Sequence, residues 1–208
     1  MTRGNSTQAV YVIKIVLRES KPAIWRRFRV PGAISLDRLH DVIQIVMGWQ
    51  EKHLHCFEIG DQRYTEAPED CDTEGIEEAH FTLDDLVSSA KTKFAYQYDF
   101  GDSWWHTLKV ERVTPVPRGH CAYVACMDGK RSCPPEDVGG IDGYSEFLNA
   151  MKDRTHPEHE SYQEWHGSAF DPKAFDADAV NLELAKYVRW TRPRAIAQEL
   201  QGIDFVGS

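Results

Sequence analysis

Between Ala9 and Arg18 the apolar residues Tyr11, Ile13, Ile15 and Leu17 alternate with Val10, Val12, Lys14 and Val16, a period of two that predicts a mostly buried strand. Lys21-Pro22 interrupts the pattern, and it resumes from Ile24 to Val30 with Ile24, Phe28 and Val30 on one face and Trp25, Arg27 and Arg29 on the other. The two segments are expected to pair antiparallel. Spacing then becomes helical through Leu36, Leu39, Val42, Ile43, Val46 and Met47, with Ser35 placed to cap the start and Gly48 to end it. Strand period returns from His53 to Ile59, turns at Gly60-Asp61 and continues in Arg63-Tyr64. The acidic stretch from Glu66 to Glu78 reads as a surface loop, and Thr82 is placed to cap a short helix through Leu83 and Leu86.

A hairpin follows, Lys93 to Asp99 and Trp104 to Val113, turning on Phe100-Gly101-Asp102-Ser103. Beyond Thr114 to Arg118, the region from Cys121 to Gly140 reads as a rigid loop because Pro134, Pro135, Gly139 and Gly140 crowd its end. Three helical patterns close the chain: Tyr144, Phe147, Leu148 and Met151; a polar one around Tyr162 and Trp165; and Val180, Leu184 and Val188. Strands and helices do not alternate as a doubly wound parallel sheet requires. The expected fold is α+β, a mixed and mostly antiparallel sheet with helices packed against it and a helical C-terminal part. One domain over 9–190 is expected, with a flexible N-terminus over 1–8 and a loosely held tail over 191–208.

Composition narrows the class. Twenty-four Lys and Arg stand against thirty-three Asp and Glu, a formal charge of −9 that repels phosphate backbones, so general DNA binding is not expected. No apolar run reaches the roughly 20 residues of a membrane span, no signal-peptide layout opens the chain, and the expected address is the cytoplasm. Five cysteines at 56, 71, 121, 126 and 133 are an odd set, read as reduced thiols. Four residues separate Cys121 from Cys126 and six separate Cys126 from Cys133, which fits no zinc knuckle.

Several groups of residues carry chemistry. His53 and His55, two apart on an expected strand, would leave the same face as a pair of metal ligands do. Asp99, Asp102 and His106 flank a tight turn, and Glu136-Asp137 sit on the Pro-Gly loop, so all are expected to meet the histidines in one polar cleft. The candidate divalent-metal ligands are His53, His55, Asp99, Asp102 and His106; no other cofactor is expected. The alternative is structural, with Asp99 and Asp102 capping the turn and the histidines sitting as sheet residues. Trp25, Arg27 and Arg29 interleave an aromatic with cations, as in base stacking, or are solvated strand residues. Trp49, Trp104 and Trp105 either line a groove or belong to the core. His156 and His159 at a helix start lack a third ligand. G-x-S-x-G, P-loop, H-E-x-x-H and dinucleotide motifs do not occur.

Trp25-Arg26-Arg27, Gly48-Trp49, His53-Leu54-His55-Cys56-Phe57, Tyr98-Asp99-Phe100-Gly101-Asp102-Ser103-Trp104 with His106, Cys133-Pro134-Pro135-Glu136-Asp137 with Gly139-Gly140, and Phe170-Asp171-Pro172 before Asn181 occur in that order. Together they make the chain resemble the family named after the third open reading frame of a root-inducing plasmid. The resemblance implies an association with plasmids and mobile elements, where some members carry a resolvase-like label, and it implies no assigned reaction. Val138 departs from the family, which commonly has Cys there, and so weakens a thiol metal site. Serine-recombinase chemistry would need an activated Ser among arginines and a basic DNA-binding helix-turn-helix, and this acidic chain has neither. The expected function is a binding or accessory module that offers a polar and aromatic cleft to a protein, peptide or nucleic-acid partner. The alternative is a metal-assisted hydrolase with Glu136 as general base.

Overall fold

In the computed structural model, which describes residues 7–66, 68, 75–87, 89–117, 123–167 and 169–188, the alternating segments are all strands. They are β1 (Thr7–Leu17), β2 (Trp25–Pro31), β3 (His55–Ile59), β4 (Gln62–Thr65), β5 (Gly75–Glu77), β6 (Lys93–Tyr98), β7 (Trp104–Pro117) and β8 (Ala125–Lys130). They form one sheet in the order β5-β4-β3-β6-β7-β1-β2-β8. Pairing is antiparallel except between β4 and β5. The helices are α1 (Leu36–Met47), α2 (Leu83–Leu86), α3 (Gly140–Lys152), α4 (His159–His166) and α5 (177–188), with a 3-10 turn at Glu78–His80. The protein is thus an α+β fold on a mostly antiparallel mixed sheet, as the sequence pattern predicts.

Local chemistry explains most of the boundaries. Gly48 closes α1 at φ 101, a left-handed conformation that side chains with a Cβ resist, and its N–H bonds the Gln44 carbonyl. Leu36, Leu39, Val42, Ile43, Val46 and Met47 are all buried, which is the stripe that their spacing predicts. They meet Ile13, Ile15, Phe28, Tyr96 and Leu108 from the sheet in one core cluster. At α2 Thr82 and Asp85 form a reciprocal capping box.

Two parts of the sheet depart from expectation. The end of the acidic stretch is strand β5, paired with β4, and Glu78 beyond it is buried rather than on a surface loop. The region after Cys121 contains β8, the edge strand beside β2. In β2 itself, strict alternation puts Arg26 on the buried face with Phe28 and Val30. Its guanidinium donates to the carbonyls of Val46 at 2.8 Å, Trp25 at 2.9 Å and Lys130 at 3.0 Å, and it stacks on Phe175. Arg26 therefore ties the last turn of α1 to both strands at that edge, and the helix C-terminus is where a cation is favoured. Among the described residues no helix is long and apolar enough to cross a membrane. The expected tail over 191–208 lies outside the described residues, as do Cys71 and Cys121.

Candidate functional site

The β6–β7 turn is built by Asp99. At φ 56 it turns its side chain back over the turn, where Oδ1 accepts the N–H groups of Gly101 at 2.9 Å and Asp102 at 3.2 Å. Asp102 reaches the other way, and its Oδ2 accepts the Gly139 N–H at 3.0 Å. A Cβ on Gly140 would stand 2.7 Å from the Asp102 carbonyl oxygen, so the Pro-Gly loop and the turn are in direct backbone contact. Trp49 Nε1 donates to the Pro134 carbonyl, while Glu136 Oε1 accepts the Gln50 N–H at 2.8 Å and the Tyr98 hydroxyl at 3.2 Å.

His53 faces this junction. Its Nε2 lies 2.9 Å from Asp137 Oδ1, 3.6 Å from Asp99 Oδ2 and 3.9 Å from Glu136 Oε2. The atom is enclosed, and none of these approaches has hydrogen-bond geometry. Among the described residues, one ligand atom each from His53, Asp99 and Asp137 converges within 4.8 Å. The turn, the Pro-Gly loop and His53 thus come together.

His55 does not join them. Strand β3 starts at His55, opposite Tyr98, so His53 lies before the strand and the two rings do not share a face. The His55 ring is buried and stacks on His40 of α1 with centroids 3.4 Å apart and planes 10° from parallel. His55 Nε2 meets Glu78 Oε1 at 2.9 Å and Oε2 at 3.0 Å. Tyr96 holds the second ring: Gln44 Nε2 donates to the Tyr96 oxygen at 3.0 Å, which leaves the hydroxyl to donate to His40 Nδ1 at 2.8 Å. Burial, aided by the neighbouring His55, pushes the His40 pKa down to about 2, whereas burial raises that of the Glu78 carboxyl. The two rings and Glu78 border a cleft of about 560 Å³.

The remaining candidates are structural. His106 is fully buried beside Trp49 and Tyr96, and burial lowers its pKa to about 3. It cannot ligate with the junction. Trp104 is equally enclosed and belongs to the core, while Trp49, nearly as buried, borders the cleft of His40 and His55. Trp25 and Arg27 do share the half-exposed face of β2, but Arg27 is paired with Glu111 at 2.6 Å and Asp128 at 3.1 Å. Lys14 and Arg27 cover the Trp25 ring, so it offers no open stacking platform. His159 Nδ1 bonds the Ala150 carbonyl and His156 pairs with Glu146, so that histidine pair is spent.

The description "Plasmid pRiA4b ORF-3-like protein" matches residues 9–179. The chain belongs to the plasmid pRiA4b ORF-3-like family. It is 35% identical over 190 residues to "Uncharacterized protein y4hQ" of Sinorhizobium fredii, covering 88% of this chain and 97% of that one. It is also similar to the crystal structure of a "Protein of Unknown Function MM3350" from Methanosarcina mazei Go1, with a TM-score of 0.74, 34% identity, and coverage of 84% of this chain and 98% of the other. The family match and the structural likeness fix family and fold. Neither supports the mobile-element and resolvase-like labels that the resemblance implies. The family match contains both histidine sites, from His40 to Asp137.

Sequence reasoning misses His40, Gln44, Tyr96 and Glu78. A signal exists for two of them, since Leu36, His40 and Gln44 are four apart and place polar groups on the buried stripe of α1. Glu78 has none, being one acid among many.

Proposed function

We propose that the protein is a cytoplasmic binding module whose junction between His53, the 99–103 turn and the 134–140 loop holds a divalent cation, through which a protein or peptide partner is bound. The observation that carries this reading is the convergence of His53 Nε2, Asp99 Oδ2 and Asp137 Oδ1. Two donors each about 2.1 Å from a tetrahedral ion stand about 3.4 Å apart, and the distances from His53 to Asp137 and Asp99 are 2.9 and 3.6 Å. One nitrogen and two oxygens suit zinc or manganese, with a position left for a partner's oxygen. Metal-assisted hydrolysis is not favoured, because Glu136, the carboxylate nearest to a general-base position, is engaged by the Gln50 N–H and the Tyr98 hydroxyl.

The test is titration of chelator-treated protein with zinc and manganese by calorimetry, alongside His53→Ala and Asp137→Asn. One ion should bind per chain, and either substitution should weaken it at least tenfold while leaving the melting temperature of the metal-free protein unchanged. A chain that takes up no ion at millimolar concentration, or variants that bind as the parent does, would end this reading.

A further inference from the structure

The second polar cleft lies under α1 and is separate from the His53 junction. Two of its groups, His55 and Glu78, have side chains only 1% exposed. The Glu78 carboxylate accepts from Nε2, which leaves a lone pair on Nδ1 in the neutral ring. That atom is enclosed and has no hydrogen-bond partner. Glu66 Oε1, another acceptor, lies 3.5 Å from it. A donor placed between two such acceptors satisfies both. A buried acceptor left unpaired costs about 1–3 kcal/mol, so filling the position is favourable.

The walls specify the sign of the occupant. Glu51, Glu66 and Glu77 line the cleft, and none pairs with a lysine or arginine among the described residues. The arginine that lines it, Arg38, is engaged by Asp41 at 3.4 Å and Asp37 at 3.8 Å. Anions are repelled and cations drawn in. The acidic groups here do not converge as metal ligands; among the described residues that arrangement is found at His53, Asp99 and Asp137. The cleft volume of about 560 Å³ is that of a small-molecule site rather than of a single ion.

We propose that this cleft binds a small organic cation, whose primary ammonium or guanidinium group donates to His55 Nδ1 and Glu66 while Glu51 and Glu77 neutralise the rest of its charge. A free polyamine and the side chain of a basic peptide share this chemistry.

Calorimetric titration of the full chain with spermidine, agmatine and an amidated arginine-containing tripeptide tests it. At least one probe should bind with a stoichiometry of one. The double variant Glu66→Gln/Glu77→Gln should lower that affinity at least tenfold, whereas Glu160→Gln, on the exposed surface of α4, should leave it unchanged. Binding of the peptide alone supports the site and assigns the cation to a protein source; binding of spermidine or agmatine assigns it to a free amine. Equal losses in both variants would mean that the acidic surface collects cations without a site, and would overturn the proposal. So would the absence of binding by all three probes at millimolar concentration. Asp137→Asn should leave binding intact, so failure of the junction as a metal site and failure of this cleft are distinguishable.

Discussion

Two histidines show how a single side chain sets the acid response of the protein. His40 and His106 are held neutral by burial, with pKa values pushed down from 6.5 to about 2 and about 3. The folded state therefore binds fewer protons than the unfolded chain below pH 6.5. Stability that is fully present above that pH is lost as the pH falls, by about 2 kcal/mol per histidine at pH 5. Glu78 acts in the opposite direction because burial raises its carboxyl pKa; its folded form holds a proton more tightly, and stability falls as pH rises through that window. His106→Phe removes one of the acid-sensitive groups. Urea unfolding at pH 7 and pH 5 should show the variant losing about 2 kcal/mol less than the parent over that interval. An unchanged loss would mean that His106 is protonated in the folded protein. None of this is legible in the sequence, where a histidine two residues after Trp104 looks like a ligand and one in mid-helix looks unremarkable.

At the level of elements, legibility depended on whether a segment's pattern is set by its own burial or by its neighbours. Helix α1 is readable because its stripe faces the core throughout, and β1, β2 and the first half of β7 because one face of each is buried in alternation. Strand β8 is not, since Ala125-Cys126-Met127-Asp128-Gly129-Lys130 has no clean period and is a strand through its pairing with β2. The same is true of the three residues of β5. His53 and His55 illustrate the cost of misplacing a strand start, because a difference of two residues sends them to separate sites. Arg26 holds three of these elements through carbonyls, and no carboxylate pairs with it among the described residues. Arg26→Met should lower stability by about 2–4 kcal/mol in chemical denaturation, mostly through the unmet Val46 and Lys130 acceptors. At the Pro-Gly loop, Gly140 has φ 68 and no room for a Cβ beside Asp102. Gly140→Ala should cost about 2–3 kcal/mol and loosen the contact between turn and loop. Hydrogen exchange of the Gly139 amide reports that contact directly; protection equal to the parent's would show that the loop docks without it.

The whole molecule carries a formal charge of −9, and Arg27 on its β2 strand is matched by Glu111 and Asp128. Random duplex DNA should therefore show no salt-sensitive retardation in a gel at 50 mM salt, and tight binding that weakens steeply with salt would contradict the charge argument. The order of the strands has another consequence. The first hairpin, β1 with β2, lies between β7 and β8, so both of its outer partners are synthesised more than about seventy residues after it. On the ribosome the earliest strands emerge with both edges open and must wait until residue 130 has left the exit tunnel. At roughly 5–20 residues per second that interval lasts several seconds, and until then both edges of the nascent hairpin lack the strands that cover them in the folded sheet.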